Sequence, residues 1–260
     1  MRISYAPIAL LMSITMTHLV KTEEVDLRPY EIQRISQQGE DGILEKIFQL
    51  IGTTNKYYVE FGAGNGHYCS NTKWLKEKYG WTGLLLDGAC SNKMDDDLKI
   101  NLHKEFITAE NICDIFKKYN VPSEFDLISI DIDNNDFYVW KALTKEYKPR
   151  VVVIEFNSLF KPDEDKVVRY EADRSELDIH FGSSIKALFN LGRALGYSLV
   201  YEESRGINLF FIRDDAIESS NITFKDINDV HALYKPLPDP VCLNPKIVAQ
   251  KFISSQEALK

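Results

Sequence analysis

The run Arg150-Val151-Val152-Val153-Ile154-Glu155 narrows the fold more than any other stretch of this chain. Four consecutive β-branched residues favour extended backbone, and a strand apolar on both faces has to be covered on both. Such a strand belongs in the middle of a mostly parallel sheet flanked by helices. The surrounding sequence fits. From Tyr30 onward short apolar runs recur at Tyr57–Phe61, Leu84–Asp87, Glu105–Thr108, Asp126–Asp131, Val151–Phe156, Ser198–Tyr201 and Asn208–Arg213. Between them the pattern predicts helices near Asn71–Tyr79, Asn111–Tyr119, Phe137–Lys148 and Ser183–Leu195. Ahead of the first strand, Ile43, Leu44, Ile47, Phe48 and Ile51 share one helical face and Gly52 is a stop signal.

The length of 260 residues and 44% apolar content suit one α/β domain with extensions. Acidic residues (39) outnumber basic ones (31), a net charge of −8, which argues against a nucleic-acid partner held through its phosphates. Cys69, Cys90, Cys113 and Cys242 are scattered, without the spacing of a zinc site or a disulfide framework. The apolar stretch Ala6–Met16 is shorter than the ~20 residues that span a bilayer. It has the length of a signal-peptide core, but only Arg2 precedes it and no clean cleavage site follows. Residues 1–30 are therefore read as a leader outside the fold, 31–215 as the α/β domain, and the Pro-rich 216–260 as a tail packed on it. The cytoplasm is the expected location; export or membrane attachment would require residues 1–20 to act as a signal.

Several strand ends carry chemistry. Tyr57-Tyr58-Val59-Glu60-Phe61-Gly62-Ala63-Gly64-Asn65-Gly66 is a strand running into a glycine turn, where a ligand can approach the backbone closely. A dinucleotide fingerprint would place its third glycine at 67, where this chain has His67. Glu60 before the turn instead suits a smaller cationic ligand with an amino acid group. Leu84-Leu85-Leu86-Asp87 ends a second strand in a carboxylate placed to bind ribose hydroxyls. After the third run, Glu110 or Asn111 is placed to face an adenine edge, although Asn111 also stands where a helix cap belongs. Asp131, Asp133 and Asp136 crowd the end of the fourth run, and such charges call for a sulfonium, an ammonium or a divalent metal. The calcium-loop template fails, since Asp136 and Ala142 replace its glycine and closing glutamate. Asp136 also stands where the following helix would be capped. Glu155 ends the β-branched strand, and His180, before a predicted helix, is a candidate general base.

Taken together, Ser36-Gln37-Gln38-Gly39-Glu40-Asp41-Gly42, Val59–Gly64, Trp81-Thr82-Gly83, Leu86-Asp87-Gly88, Ser129–Asp133, Pro149–Glu155, Phe181–Ser184 and Gly206–Phe211 resemble FkbM-like methyltransferases of the class I S-adenosylmethionine-dependent group. The resemblance spans about residues 35–215. It implies a Rossmann-like three-layer sandwich with a mostly parallel seven-stranded sheet, the last strand antiparallel. S-adenosyl-L-methionine would lie over the first, second and fourth strands. Glu60, Gly62 and Gly64 would hold its methionine portion, Asp87 its ribose, and Asp131 would lie near the reactive methyl. Asn134 departs from the family, where many members carry glycine in the Asp-x-Asp-Gly segment.

The expected activity is methyl transfer to a hydroxyl of a sugar or other small metabolite, with Asp131 as first and His180 as second candidate for the base. A divalent metal is an open alternative for handling the acceptor's proton. A catalytically silent or secretory-pathway module reusing the fold, and an NAD-dependent oxidoreductase, are the competing classes. The acceptor pocket is expected in roughly Asn157–Ser184.

Overall fold

The computed structural model describes residues 23–88, 96–173, 178–237 and 241–260; the apolar leader, Cys90 and Arg174 lie outside these. Seven strands form the central sheet: β1 (Tyr57–Phe61), β2 (Thr82–Asp87), β3 (Leu102–Lys104), β4 (Glu124–Ile130), β5 (Lys148–Glu155), β6 (Tyr197–Glu202) and β7 (Asn208–Arg213). Their spatial order is β3-β2-β1-β4-β5-β7-β6. All pairs from β3 to β5 are parallel, and β7 is antiparallel to both neighbours. The valine run sits in β5, fully buried between β4 and β7.

Alternation along the strands divides the core in two. Tyr58, Leu85, Leu127, Val151, Val153 and Phe210 meet the apolar face of α1 (Glu40–Ile51) and Leu75 of α2 (Lys73–Tyr79). Val59, Leu84, Ile128, Val152 and Phe211 meet α3 (Ile112–Lys118), α4 (Asp136–Leu143) and α5 (Ile185–Leu195) through Phe116, Trp140 and Leu188. The result is a Rossmann-like α/β/α sandwich. Chain order reverses between β1 and β4, the position at which open α/β sheets bind ligands beyond the carboxyl ends of their strands.

The opposite end is tied by a buried ion pair. Asp126 accepts from the amides of Thr54, Asn55 and Lys56 and from Arg150 at 2.9 Å. Arg150 also donates to the carbonyls of Ile51 and Gly52, closing the end of α1. Burial pushes the Asp126 carboxyl upward, but Arg150 and the amides outweigh it and hold it below its ordinary value.

Three expectations change. The third strand is Leu102–Lys104, an edge strand with one apolar residue, and not Glu105–Thr108. Those later residues turn because Asn111 holds them, accepting from the Thr108 amide and donating to the Phe106 carbonyl. The helix expected over Phe137–Lys148 stops at Leu143. Lys148 precedes Pro149, which disfavours helical backbone there, and it opens β5 instead. Of the segment set outside the fold, Glu23–Val25 pairs in parallel with Ile222–Phe224, and Leu27 is buried.

Asp126→Asn should cost about 3–5 kcal/mol, because it strands the buried Arg150 and three amides. The Asp126 contribution is complete above the ordinary carboxylate value near 3.9 and is lost as pH falls through the lower folded value. Urea unfolding across this range should therefore separate parent and variant at pH 7, and the gap should begin to narrow as pH falls below about 4.

Candidate active site

Strand parity explains why the polar groups converge. Residues two apart on a strand share a face. Glu60, Asp87, Ser129 and Glu155 thus follow Tyr58, Leu85, Leu127 and Val153 onto the α1 side of the sheet. Asp131 extends the same series one residue beyond β4.

Gly62, Gly64 and Gly66 all adopt left-handed backbone (φ 63°, 54° and 69°). At Gly62 a Cβ would lie 1.9 Å from the Asp131 carbonyl oxygen, so the turn after β1 presses directly on the tip of β4. At Gly64 nothing lies within 4 Å of that position, and its amide donates to Asp87 Oδ2 at 2.7 Å. Here the turn is open above and braced below by the β2 carboxylate.

Glu60 is turned inward. It is 3% exposed and accepts from the Ser70 and Thr72 hydroxyls and the Asn71 amide. Burial raises its pKa against those donors. Its role here is to anchor the segment leading into α2.

The acidic cluster lies beside the turn. Asp131, Asp133 and Glu155 offer oxygens within 4.8 Å of one another. Burial, then the neighbouring Asp136, Asp133 and Glu60, drive the Asp131 pKa up. Burial and Asp131 do the same to Glu155, so the two carboxyls titrate as an interacting pair. Burial and the nearby Asp87 carboxylate raise Asp133, so the β2 tip lies close to the cluster. Glu155 Oε2 is buried without a hydrogen-bond partner. Asp136 is pushed up to about 7 by burial and accepts the Ile132 amide at 2.8 Å. It is the first residue of α4 and holds the preceding loop. Asp133, at φ 69°, takes the left-handed conformation; Asn134 does not. Three close carboxylate oxygens with one orphaned, buried atom fit the donor set of a hard divalent cation.

The remaining candidates point elsewhere. Glu110 accepts from the Tyr170 hydroxyl, which holds its carboxyl below the usual value. The Asn111 side chain fixes the turn described above rather than an adenine edge. His180 is 7% exposed; Nδ1 faces Asp178 at 3.2 Å and Nε2 accepts the Asn244 amide at 3.4 Å. Both ring nitrogens are thus engaged away from the cluster. Glu155 stands at the strand end where the sequence places it, and what the sequence did not show is its pairing with Asp131. One group escaped the sequence reading: Phe106, an exposed ring packed beside Gly88, next to Asp87.

No protein-family model matches the chain, and no curated protein matches it in sequence. Among solved structures it is similar to the MycE methyltransferase of the mycinamycin biosynthetic pathway in complex with Mg, SAH and mycinamycin VI. That match has a TM-score of 0.45 and 16% identity, covering 75% of this chain and 56% of the other. It is also similar to the CurJ carbon methyltransferase, with a TM-score of 0.39 and 10% identity over 67% and 52% of the two chains. A third is an O-methyltransferase family protein from Burkholderia thailandensis, with a TM-score of 0.35 and 12% identity over 67% and 57%. The chain spans about half the length of these structures.

Folded Asp131, Glu155 and Asp136 keep protons that the unfolded chain releases near pH 4. The ligand-free protein should therefore lose stability as pH rises from 5 to 8, since the unfolded state then binds fewer protons than the folded one. Asp131→Asn should flatten that loss by about 1–2 kcal/mol at pH 8, measured by chemical denaturation.

Proposed function

We propose that this chain is an S-adenosylmethionine-dependent methyltransferase acting on a hydroxyl of a sugar or other small metabolite. The observation that carries the reading is the open Gly64 turn, braced by Asp87 and bordering the Asp131–Glu155 pair. A carboxylate at the β2 tip suits two ribose hydroxyls. The exposed Phe106 ring beside Gly88 offers a stacking face for adenine. A surplus of carboxylates suits a cationic ligand, whose charge lowers the cost of ionising Asp131. A cytoplasmic location goes with this reading, because the cofactor is made there.

When bound, S-adenosylmethionine supplies a methyl group already activated on a sulfonium. What remains for the protein is alignment and proton removal. The glycine turn and Asp87 fix the cofactor side. Asp131, ionised, takes the proton from the acceptor hydroxyl, and Glu155, protonated beside it, keeps Asp131 oriented. A divalent cation would be held by Asp131, Asp133 and Glu155 and would supply positive charge to the acceptor oxygen. The net charge of −8 supports a small-molecule acceptor over a nucleic acid.

Calorimetry with S-adenosylhomocysteine tests the reading. The folded parent should bind, and Asp87→Ala should weaken binding about 10- to 100-fold through loss of hydrogen bonds to a charged group. A well-folded parent that takes up no ligand removes the proposal. A screen of hydroxylated acceptors with labelled methyl donor, with magnesium and with EDTA, separates the carboxylate base from metal assistance: only in the second case does EDTA abolish transfer.

A further inference from the structure

The stretch between β5 and α5 is held from two sides. On its inner side Gly182 packs on the Asp133 carbonyl, 3.3 Å from where a Cβ would sit. Tyr138 of α4 donates to the Val168 carbonyl at 3.0 Å, and Asn135 donates to that of Glu171 at 2.8 Å. Asn157, just past β5, donates to the carbonyls of Ile179 and Phe181 at 2.9 and 3.0 Å. The described residues of this stretch, 157–173 and 178–184, thus form a wall that meets the acidic cluster at Asp133.

The outer side is held by the C-terminal segment. Phe252–Ile253 pairs antiparallel with Val167–Val168, and the Arg169 amide donates to the Lys251 carbonyl at 2.7 Å. Phe160, Val168 and Phe252 form an apolar cluster separate from both sheet cores, so it exists only while the segment is docked. Ser255 donates its hydroxyl to Asp165 at 2.9 Å. Lys251 pairs with Asp178, which also faces His180. The Asn244 amide donates to His180 Nε2, so the ring carries its proton on Nδ1, toward Asp178.

We propose that residues 241–260 form a strap that holds the wall of residues 157–173 and 178–184 against Asp133, with His180 as the positioning residue at the joint. His180 acts two residues from Gly182, the point where the wall meets the cluster. That this wall borders the acceptor rests on the methyl-transfer reading, whereas the strap itself does not.

Hydrogen exchange on the full chain tests it, comparing the parent with His180→Ala, Phe252→Ala and the conservative His180→Gln, whose amide oxygen can again accept the Asn244 amide. Both alanine variants should speed exchange in peptides from 157–173 and 178–184 by about tenfold, as local opening does, while β1, β2 and β4 keep the parent rates. His180→Gln should restore most of the protection, and affinity for S-adenosylhomocysteine should stay within about twofold of the parent. Unchanged exchange in the wall, an equal rise in β1 and β4, or no rescue by His180→Gln would overturn the strap. A parent that binds no S-adenosylhomocysteine removes the methyl-transfer reading alone, and the exchange comparison still decides the strap.

Discussion

Crowding of carboxylates at the carboxyl ends of β1, β2, β4 and β5 is the constraint on which this molecule turns. Two unit charges ~4 Å apart interact by ~4 kcal/mol at an effective dielectric near 20. Asp131, Asp133 and Glu155 approach within such distances, with Asp136 buried behind them. Among the described residues, none of the three cluster carboxylates forms an ion pair with a basic side chain. Burial together with repulsion from neighbouring carboxylates, Asp87 among them, therefore raises all four groups and favours their protonated forms. A proton, a sulfonium and a divalent ion are alternative ways to neutralise one cluster. Binding of a cation there and protonation are therefore linked.

The remaining acidic surplus has a different use. Asp41 gathers the amides of Arg34, Ile35 and Ser36 on one oxygen, and Glu203 accepts from the amides of Arg205 and Asn208. Asp126 does the same for Thr54 to Lys56, and Glu60 for the segment entering α2. In each case a buried carboxylate satisfies loop amides that have no ladder partner. The motif Ser36–Gly42 is explained in this way: Asp41 builds the loop, and Gly42 has no room for a side chain against the Tyr30 carbonyl. A net charge of −8 thus reflects scaffolding as much as any ligand preference.

The two uses are adjacent on one strand. Glu60 and Gly62 lie two residues apart; the first braces the polypeptide inward and the second opens it outward. Because Gly62 touches the Asp131 carbonyl, any shift of the glycine turn is passed to the acidic cluster. A packed contact of this kind is stiff, so the glycine turn and the acidic cluster move as one body.

Local pattern settled much of this protein before any contact was known. The β-branched run fixed β5 as a central strand, because only a sheet covered on both faces buries such a sequence. Glycines at alternate positions after β1 demanded left-handed turns, and Asp87 at a strand end demanded a place on the carboxyl edge. Side-chain direction and distant pairing were decided only by the tertiary structure. β3 is an edge strand with little apolar signal, found only by its partner β2. Glu60 turns inward because Ser70 and Thr72 return to meet it, and His180 faces a segment more than sixty residues away in sequence. Asp133 rather than Asn134 takes the left-handed position, with Asp136 gripping the Ile132 amide behind it. The pairing of Asp131 with Glu155 exists only once two strands lie side by side. Periodicity and turn chemistry act over a few residues and can be read along the chain, whereas charge and hydrogen bonding act through space, and only the folded chain defines that space.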